Sequence, residues 1–254
     1  MDKNILIFLL VAVFITVNTG FYIKYVLFDN DIKLEFFIKW IPALFLLLQS
    51  IYFSKIYKVR NKMLSMLYCL WVSLGFLFCI FGDILLIMDN QILFLVSMIF
   101  FLFAYICFSC MRTGIIKTYY YHRLHFFGTV IGLVIIFIVL SFFLAYIVRN
   151  FPKVNIYDIS MIVAICIYSL IVAISISSNY IALLVNKSWS TLFSFIGVLL
   201  FGLSDSLVIL NYIKYHSTLL ESCAMILYWM SLTILSWSVY QKDKPVPVYE
   251  LIDE

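Results

Sequence analysis

The chain has 254 residues, of which 65% are hydrophobic and 12% are charged, and its net charge is +4. Soluble domains carry roughly 25% charged residues, so this composition excludes a soluble protein and predicts an integral membrane protein. The apolar residues form continuous runs without strict alternation, which favours spanning helices over a β-barrel.

Charged and turn-forming residues divide the sequence into eight apolar runs, each near the roughly 20 residues that cross a bilayer as a helix. The first run could be mistaken for a signal peptide. It is long, only Lys3 provides positive charge at its start and no small-residue cleavage site follows, so we expect a retained helix. The predicted spans are about 5–23, 36–57, 63–88, 92–111, 127–148, 159–185, 189–212 and 218–240.

We therefore predict an all-α, polytopic membrane protein of eight transmembrane helices in a single domain over residues 1–254, with a flexible tail over 241–254. The side that holds both termini carries most of the Lys and Arg residues, which predicts cytoplasmic termini by the positive-inside rule. The host membrane would be the endoplasmic reticulum in a eukaryote and the cell membrane otherwise. Oligomeric state is left open.

The second predicted span opens with the sequence KWIP. This pattern places Lys39 and Trp40 at the interface and Pro42 in the first helical turn, where its missing N–H costs little. Lys39 either extends its ammonium to the headgroup layer, as lysines at helix ends commonly do, or attracts a headgroup phosphate. The connector 112–125, which contains YYYHRLH, suits anchoring in the headgroup layer, with lipid recognition as the alternative.

Two aspartates occupy matching places inside apolar runs. Asp83 lies in GFLFCIFGDILLIMD and Asp205 in GVLLFGLSDSLVILN, and Asp205 follows Asp83 by 122 positions. Gly75 and Gly197 precede these aspartates by eight residues each, so the same offset separates the glycines. An ionisable residue inside a membrane helix is a functional-site hypothesis by default, and the alternative is a structural hydrogen-bonder.

The matching motifs predict an internal repeat with halves of about 1–122 and 123–240. Each half would hold four helices, an even number, so the halves would be parallel and related by an axis along the membrane normal. This axis would bring the third and seventh spans together and place both carboxylates in one cavity. Two carboxylates in low dielectric cannot both ionise easily, so the pair can present an acid and a base at once.

Other patterns are weaker. Cys107 and Cys110 form a CxxC inside an apolar run without a second pair of ligands, and the six cysteines are typical of packing residues. Sequence signatures of zinc proteases, nucleophile elbows and phosphate-binding loops do not occur. The basic residues are too dispersed for nucleic-acid binding. Serines in the sixth span favour close helix packing, namely Ser169, Ser175, Ser177 and Ser178.

The motifs GDILLI, LLFGLSDSLVILN, KWIP and LYW resemble the YhhN family of eight-helix membrane proteins, which includes lysoplasmalogenases. The resemblance extends from Lys39 to Trp237. It implies hydrolysis of the vinyl ether bond of a lysoplasmalogen, a single-chain ether phospholipid, without cofactor or metal. It also implies catalytic roles for Asp83 and Asp205. The surrounding substrate-binding residues would be Lys39, Tyr105, Ser204, Ser206, Asn211 and Tyr228.

The sequence departs from the family pattern at two positions. Where the family often has Ala-His in the fourth span, this chain has Ala104 and Tyr105, and Leu232 stands where a Gln commonly follows the aromatic pair. Tyr105 can still donate a hydrogen bond, but it cannot accept a proton near neutral pH as His can. The alternatives to an ether hydrolase are a lipid, small-molecule or proton-coupled transporter and a non-catalytic family member.

Overall fold

A computed structural model of the chain describes residues 3–28, 32–57, 64–88, 90–112, 156–212 and 217–240. These residues form seven helices and no strand. Some of the predicted features lie outside the described residues. They are the fifth span, nearly all of the connector 112–125, Asp89 and the tail. The helices are α1 Lys3–Phe28, α2 Ile32–Tyr57, α3 Leu64–Leu86, α4 Gln91–Cys110, α5 Ile156–Val185, α6 Trp189–Leu210 and α7 Thr218–Tyr240.

Six of these helices are long and apolar enough to cross a membrane, and the chain is therefore a multi-pass integral membrane protein. The apolar part of α2, Ile38–Phe53, is shorter. Seven of the eight predicted spans are confirmed as helices, with ends that differ by a few residues. The helix predicted over 127–148, which would make eight in all, and the internal repeat stay predictions.

Helices α2 to α7 form a ring in which each helix packs against the next and α7 returns to α2. Helix α1 lies outside the ring and contacts α2 and α7. Much of the outer surface of α1 is apolar and exposed, as suits a helix that faces lipid. The ring places the second half of α3 and the second half of α6 around a common interior.

Two glycines allow the helices of this ring to approach closely. A Cβ atom built on Gly75 would overlap the ring of Phe108, and one built on Gly197 would lie 2.6 Å from Cγ of Leu235. The first contact joins α3 to α4 and the second joins α6 to α7. Small residues at such contacts are typical of membrane helix packing.

The position of Pro42 differs from the prediction. Helix α2 begins at Ile32, seven residues before the KWIP sequence, so Pro42 lies inside the helix and not in its first turn. A proline in the helix interior deprives the carbonyl four residues earlier, that of Ile38, of its N–H partner. Nδ2 of Asn18 on α1 donates to this carbonyl at 2.9 Å, which satisfies the freed group within the protein.

Arg112 also differs from the prediction. It was expected in the headgroup layer with the connector, yet its side chain is fully buried at the end of α4. Its guanidinium lies 4.4 Å from the centroid of the Tyr68 ring and donates to the Tyr68 hydroxyl at 3.0 Å. It also donates to the carbonyl and hydroxyl oxygens of Ser190, both at 2.8 Å, and to the Ser194 hydroxyl. Arg112 therefore links α4 to the first turns of α3 and α6.

Candidate functional site: two carboxylates in an intramembrane cavity

Asp83 lies one turn before the end of α3 and faces the interior of the ring, with 2% of its surface exposed. The hydroxyl of Tyr228 on α7 donates to Oδ2 of Asp83 at 2.7 Å. Since a buried carboxyl group without a partner is strongly unfavourable, this bond helps to accommodate Asp83 in an apolar interior.

Asp205 lies in the second half of α6 and is 7% exposed. Its Oδ2 atom accepts a hydrogen bond from the Tyr105 hydroxyl on α4 at 2.9 Å. The Tyr168 hydroxyl on α5 donates to the same oxygen. Two donors on one carboxylate oxygen stabilise negative charge at that atom.

Both carboxylates line one cavity. The matched motifs predict this meeting of the two carboxylates, and the structure confirms it. The cavity lies among α3, α4, α5, α6 and α7. Its polar lining residues are Asp83, Ser97, Tyr168, Ser204, Asp205 and Tyr228, and its apolar ones are Leu86, Phe94, Met98, Phe101, Val208, Ile209 and Met225.

The two carboxyl groups line the same, largely apolar cavity. Because the surroundings are largely apolar, one protonated and one ionised carboxyl group are more favourable than two negative charges. Such a pair can donate a proton from one member and accept one at the other. The arrangement is thus suited to acid–base chemistry on a small group that enters an apolar cavity.

Of the predicted substrate-binding residues, three lie at the carboxylates. Tyr105 and Tyr228 donate to Asp205 and Asp83, and Ser204 lines the cavity while its hydroxyl donates to the carbonyl of Ala224 at 2.8 Å. The Ser204 bond joins α6 to α7. The substrate-binding roles themselves stay predictions.

The other three predicted residues lie away from the cavity lining. Ser206 is exposed and donates to the carbonyl of Gly202 at 2.8 Å, and Oδ1 of Asn211 accepts from the backbone N–H of Ser217 at 2.7 Å. Lys39 is 5% exposed, and its Nζ lies 3.5 Å from Oε1 of Glu221. The burial of Lys39 rules out extension of its ammonium into open headgroup space.

Two residues at or near the site were missed by sequence reasoning. Tyr168 donates a hydrogen bond to Asp205, whereas only serines were singled out in this span from the sequence. A Tyr at a mid-helix position in an apolar run was the available signal, since its hydroxyl requires a partner when buried. Glu221 pairs with Lys39 across 182 positions, a relationship that no local pattern indicates.

The fold and the site together define a class: a polytopic helical membrane protein with a pair of tyrosine-bound carboxylates in an intramembrane cavity. The model of the YhhN family matches residues 34–239, which is most of the chain. The chain belongs to the YhhN family. None of the curated proteins and none of the solved structures that were compared with the chain matches it.

Proposed function

We propose that the protein hydrolyses the vinyl ether bond of lysoplasmalogens, releasing a fatty aldehyde and glycerophosphoethanolamine or glycerophosphocholine. The observation that carries this proposal is the pair of buried carboxylates, Asp83 and Asp205, on one cavity. A vinyl ether is cleaved by acid at carbon, which requires a proton donor in a site poor in competing water. Family membership supports the same chemistry.

The hydrogen bonds suggest how the two roles divide. Asp205 accepts from two tyrosine hydroxyls, and Asp83 accepts from one. Because additional donors stabilise a carboxylate, we assign the ionised form to Asp205 and the protonated form to Asp83. Asp83 is then the general acid, and Asp205 stabilises the cation and acts as the general base.

In the first step, the Asp83 carboxyl proton moves to the vinyl carbon that is β to the ether oxygen, and the double-bond electrons form the new C–H bond. The resulting oxocarbenium ion is stabilised by the negative charge of Asp205. Water then attacks the carbon attached to oxygen and gives a proton to Asp205. The product of this addition is a hemiacetal.

In the second step, the hemiacetal collapses. Asp205 returns its proton to the ether oxygen, which leaves as the glycerol hydroxyl, and the hemiacetal hydroxyl gives its proton to Asp83 as the aldehyde forms. Both carboxyl groups regain their starting states. Each reaction consumes one water and releases one fatty aldehyde and one glycerophosphoethanolamine or glycerophosphocholine. No oxidant or reductant is needed.

The test uses the full-length protein, purified in detergent, with a lysoplasmalogen substrate and trapping of the aldehyde. The matched control substrate is the saturated 1-O-alkyl analogue, which has the same chain and headgroup but no vinyl bond. We expect aldehyde from the vinyl ether alone.

This assay has no membrane gradient, so release of aldehyde separates an enzyme from a transporter. If folded, wild-type protein releases no aldehyde from any member of a panel of single-chain vinyl ether phospholipids, the proposed function is wrong. Uptake or binding of a lipid without cleavage under the same conditions would favour the transporter instead.

A further inference from the structure

Lys39, Glu221 and Tyr22 form a polar cluster where the end of α1, the first part of α2 and the first turn of α7 meet. Nζ of Lys39 lies 3.5 Å from Oε1 of Glu221 and 5.7 Å from the centroid of the Tyr22 ring. The Tyr22 hydroxyl donates to the same Oε1 atom at 2.7 Å. We call these three residues the Lys39–Glu221 cluster.

The cluster adjoins the carboxylate cavity. Glu221 precedes Met225 by four residues and Tyr228 by seven, a spacing that places all three on one face of α7, and Met225 and Tyr228 line the cavity. Glu221 therefore lies about one helical turn, roughly 6 Å, beyond the cavity lining.

The two charges of the cluster differ in their surroundings. The Lys39 side chain is 6% exposed, whereas the Glu221 side chain is 34% exposed. Their separation of 3.5 Å exceeds the 2.7–2.9 Å of a direct charge-assisted hydrogen bond. The Lys39 ammonium and the Tyr22 hydroxyl both contact Oε1 of Glu221. The contact between Lys39 and Glu221 is thus longer than a direct hydrogen bond, and Glu221 is partly accessible to solvent.

We propose that the Lys39–Glu221 cluster binds a zwitterionic phosphodiester–ammonium headgroup, with Glu221 as the residue that recognises the ammonium. This inference rests on the proposed function, because it assigns the headgroup of that substrate to the cluster while its vinyl bond lies at the carboxylates. The headgroup phosphate pairs with Lys39 and the ammonium pairs with Glu221. The contact between the buried Lys39 and the half-buried Glu221 is thereby exchanged for two pairings of opposite charge.

The proposal makes Glu221 a specificity-determining residue. A headgroup with a phosphate but no amine would pair with Lys39 and leave the Glu221 carboxylate beside another negative charge, which is unfavourable. Lipids with an ethanolamine or choline headgroup should therefore bind more tightly than lipids that end in a phosphate.

The experiment measures the binding of two saturated ether lipids to the full-length protein in detergent. The first is 1-O-alkyl lysophosphatidylethanolamine, and the second is 1-O-alkyl glycerol 3-phosphate, which has no amine. We expect Glu221→Gln to weaken binding of the first about tenfold, the loss of one paired charge, and to leave binding of the second unchanged or tighter. Glu221→Asp should recover part of the lost affinity.

The matched control is Ser222→Ala, since the Ser222 hydroxyl donates to the carbonyl of Thr218 within α7. This variant should bind both lipids as the wild type does. Equal weakening of both lipids by Glu221→Gln, or no change for either, would overturn the proposal. If Glu221→Gln does not fold, the affinities of the wild type for the two lipids test the proposal. Equal affinity for both lipids would contradict an ammonium site.

Soluble glycerophosphoethanolamine tests whether the ligand is a lipid or a free headgroup. We expect it to compete only at concentrations more than about tenfold higher than the lipid, because it lacks the chain that buries apolar surface. Competition at equal concentration would contradict a lipid headgroup as the ligand. Since the saturated lipids cannot be cleaved as vinyl ethers, failure of headgroup recognition is distinguishable from failure of the proposed hydrolysis.

Discussion

The hydroxyl of Tyr228 lies 2.7 Å from Oδ2 of Asp83, although the two residues are 145 positions apart. This bond joins α7 to α3 across the ring and lies on the wall of the cavity. Asp205 is held in the same manner from α4 and α5. The two carboxylates are therefore each fixed by hydroxyl groups from other helices, which gives a preorganised site rather than two isolated polar residues.

Tyr228→Phe removes only the hydroxyl that holds Asp83. We expect aldehyde release to fall about tenfold to hundredfold, because a hydrogen bond to a group that becomes charged during reaction contributes about 1.5–3 kcal/mol. The measurement is kcat with a lysoplasmalogen, together with thermal unfolding in detergent. A folded variant with an unchanged kcat would contradict the role of Tyr228.

Tyr105 and Tyr168 donate to the same oxygen of Asp205, so their contributions should depend on each other. We expect the double variant Tyr105→Phe, Tyr168→Phe to lose more activity than the product of the two single effects, since each tyrosine partly replaces the other. A double-mutant cycle on kcat gives the coupling. Tyr180→Phe on the same helix as Tyr168 is the control, because the Tyr180 side chain is exposed.

Independent, multiplicative effects of the two tyrosines would show that they do not act on one carboxylate. Tyr105→His provides a further check, since His donates a hydrogen bond from the same position and matches the pattern that the family often has there. This variant should retain more activity than Tyr105→Phe. Equal loss in both variants would contradict a donor role for Tyr105.

Pro42 has no backbone N–H to donate to the carbonyl of Ile38, and the side chain of Asn18 donates to this carbonyl instead. Asn18→Leu should lower the free energy of unfolding in detergent by about 1 kcal/mol, because this carbonyl then has lost its donor within the protein. Pro42→Ala restores a backbone N–H, so the effect of Asn18→Leu should shrink in that background. The same effect in both backgrounds would contradict the compensation.

Arg112 holds three helices together from a buried position. Arg112→Met should lower the free energy of unfolding by about 1–3 kcal/mol, because buried hydroxyl and carbonyl groups of Ser190, Ser194 and Tyr68 lose their donor. Arg112→Lys should recover little, since a single ammonium cannot reproduce the planar fork of donors. Lys187→Met, at an exposed position, is the control. Equal stability of the Arg112→Met and Lys187→Met proteins would contradict this role.

Residues whose position follows from local spacing were predictable from the sequence. The apolar runs predicted the helices, and the matched motifs of Asp83 and Asp205 predicted that the two carboxylates would meet. The helix ends were less predictable because helical backbone continues beyond the apolar window, and Pro42 was misplaced for this reason. Lys and Glu are good helix formers, so charged residues that end an apolar run do not end the helix.

Contacts between distant residues that share no matched motif were not predictable. Arg112 has a sequence neighbourhood typical of a headgroup connector, yet distant Ser and Tyr residues provide its partners inside the protein. Likewise, Tyr168 reaches Asp205 and Glu221 reaches Lys39 only because the ring brings α5 to α6 and α7 to α2. Such pairs depend on the packing of the helices, which local periodicity does not encode.

The central claim is that Asp83 and Asp205 act together on one vinyl ether. The most direct test is the initial rate of aldehyde release by Asp83→Asn and Asp205→Asn, each nearly isosteric with the wild type, in proteins whose thermal unfolding in detergent shows that they are folded. We expect each variant to lose at least about a hundredfold in rate, the lower range for removal of a general acid or base. A wild-type rate in either folded variant would contradict the claim.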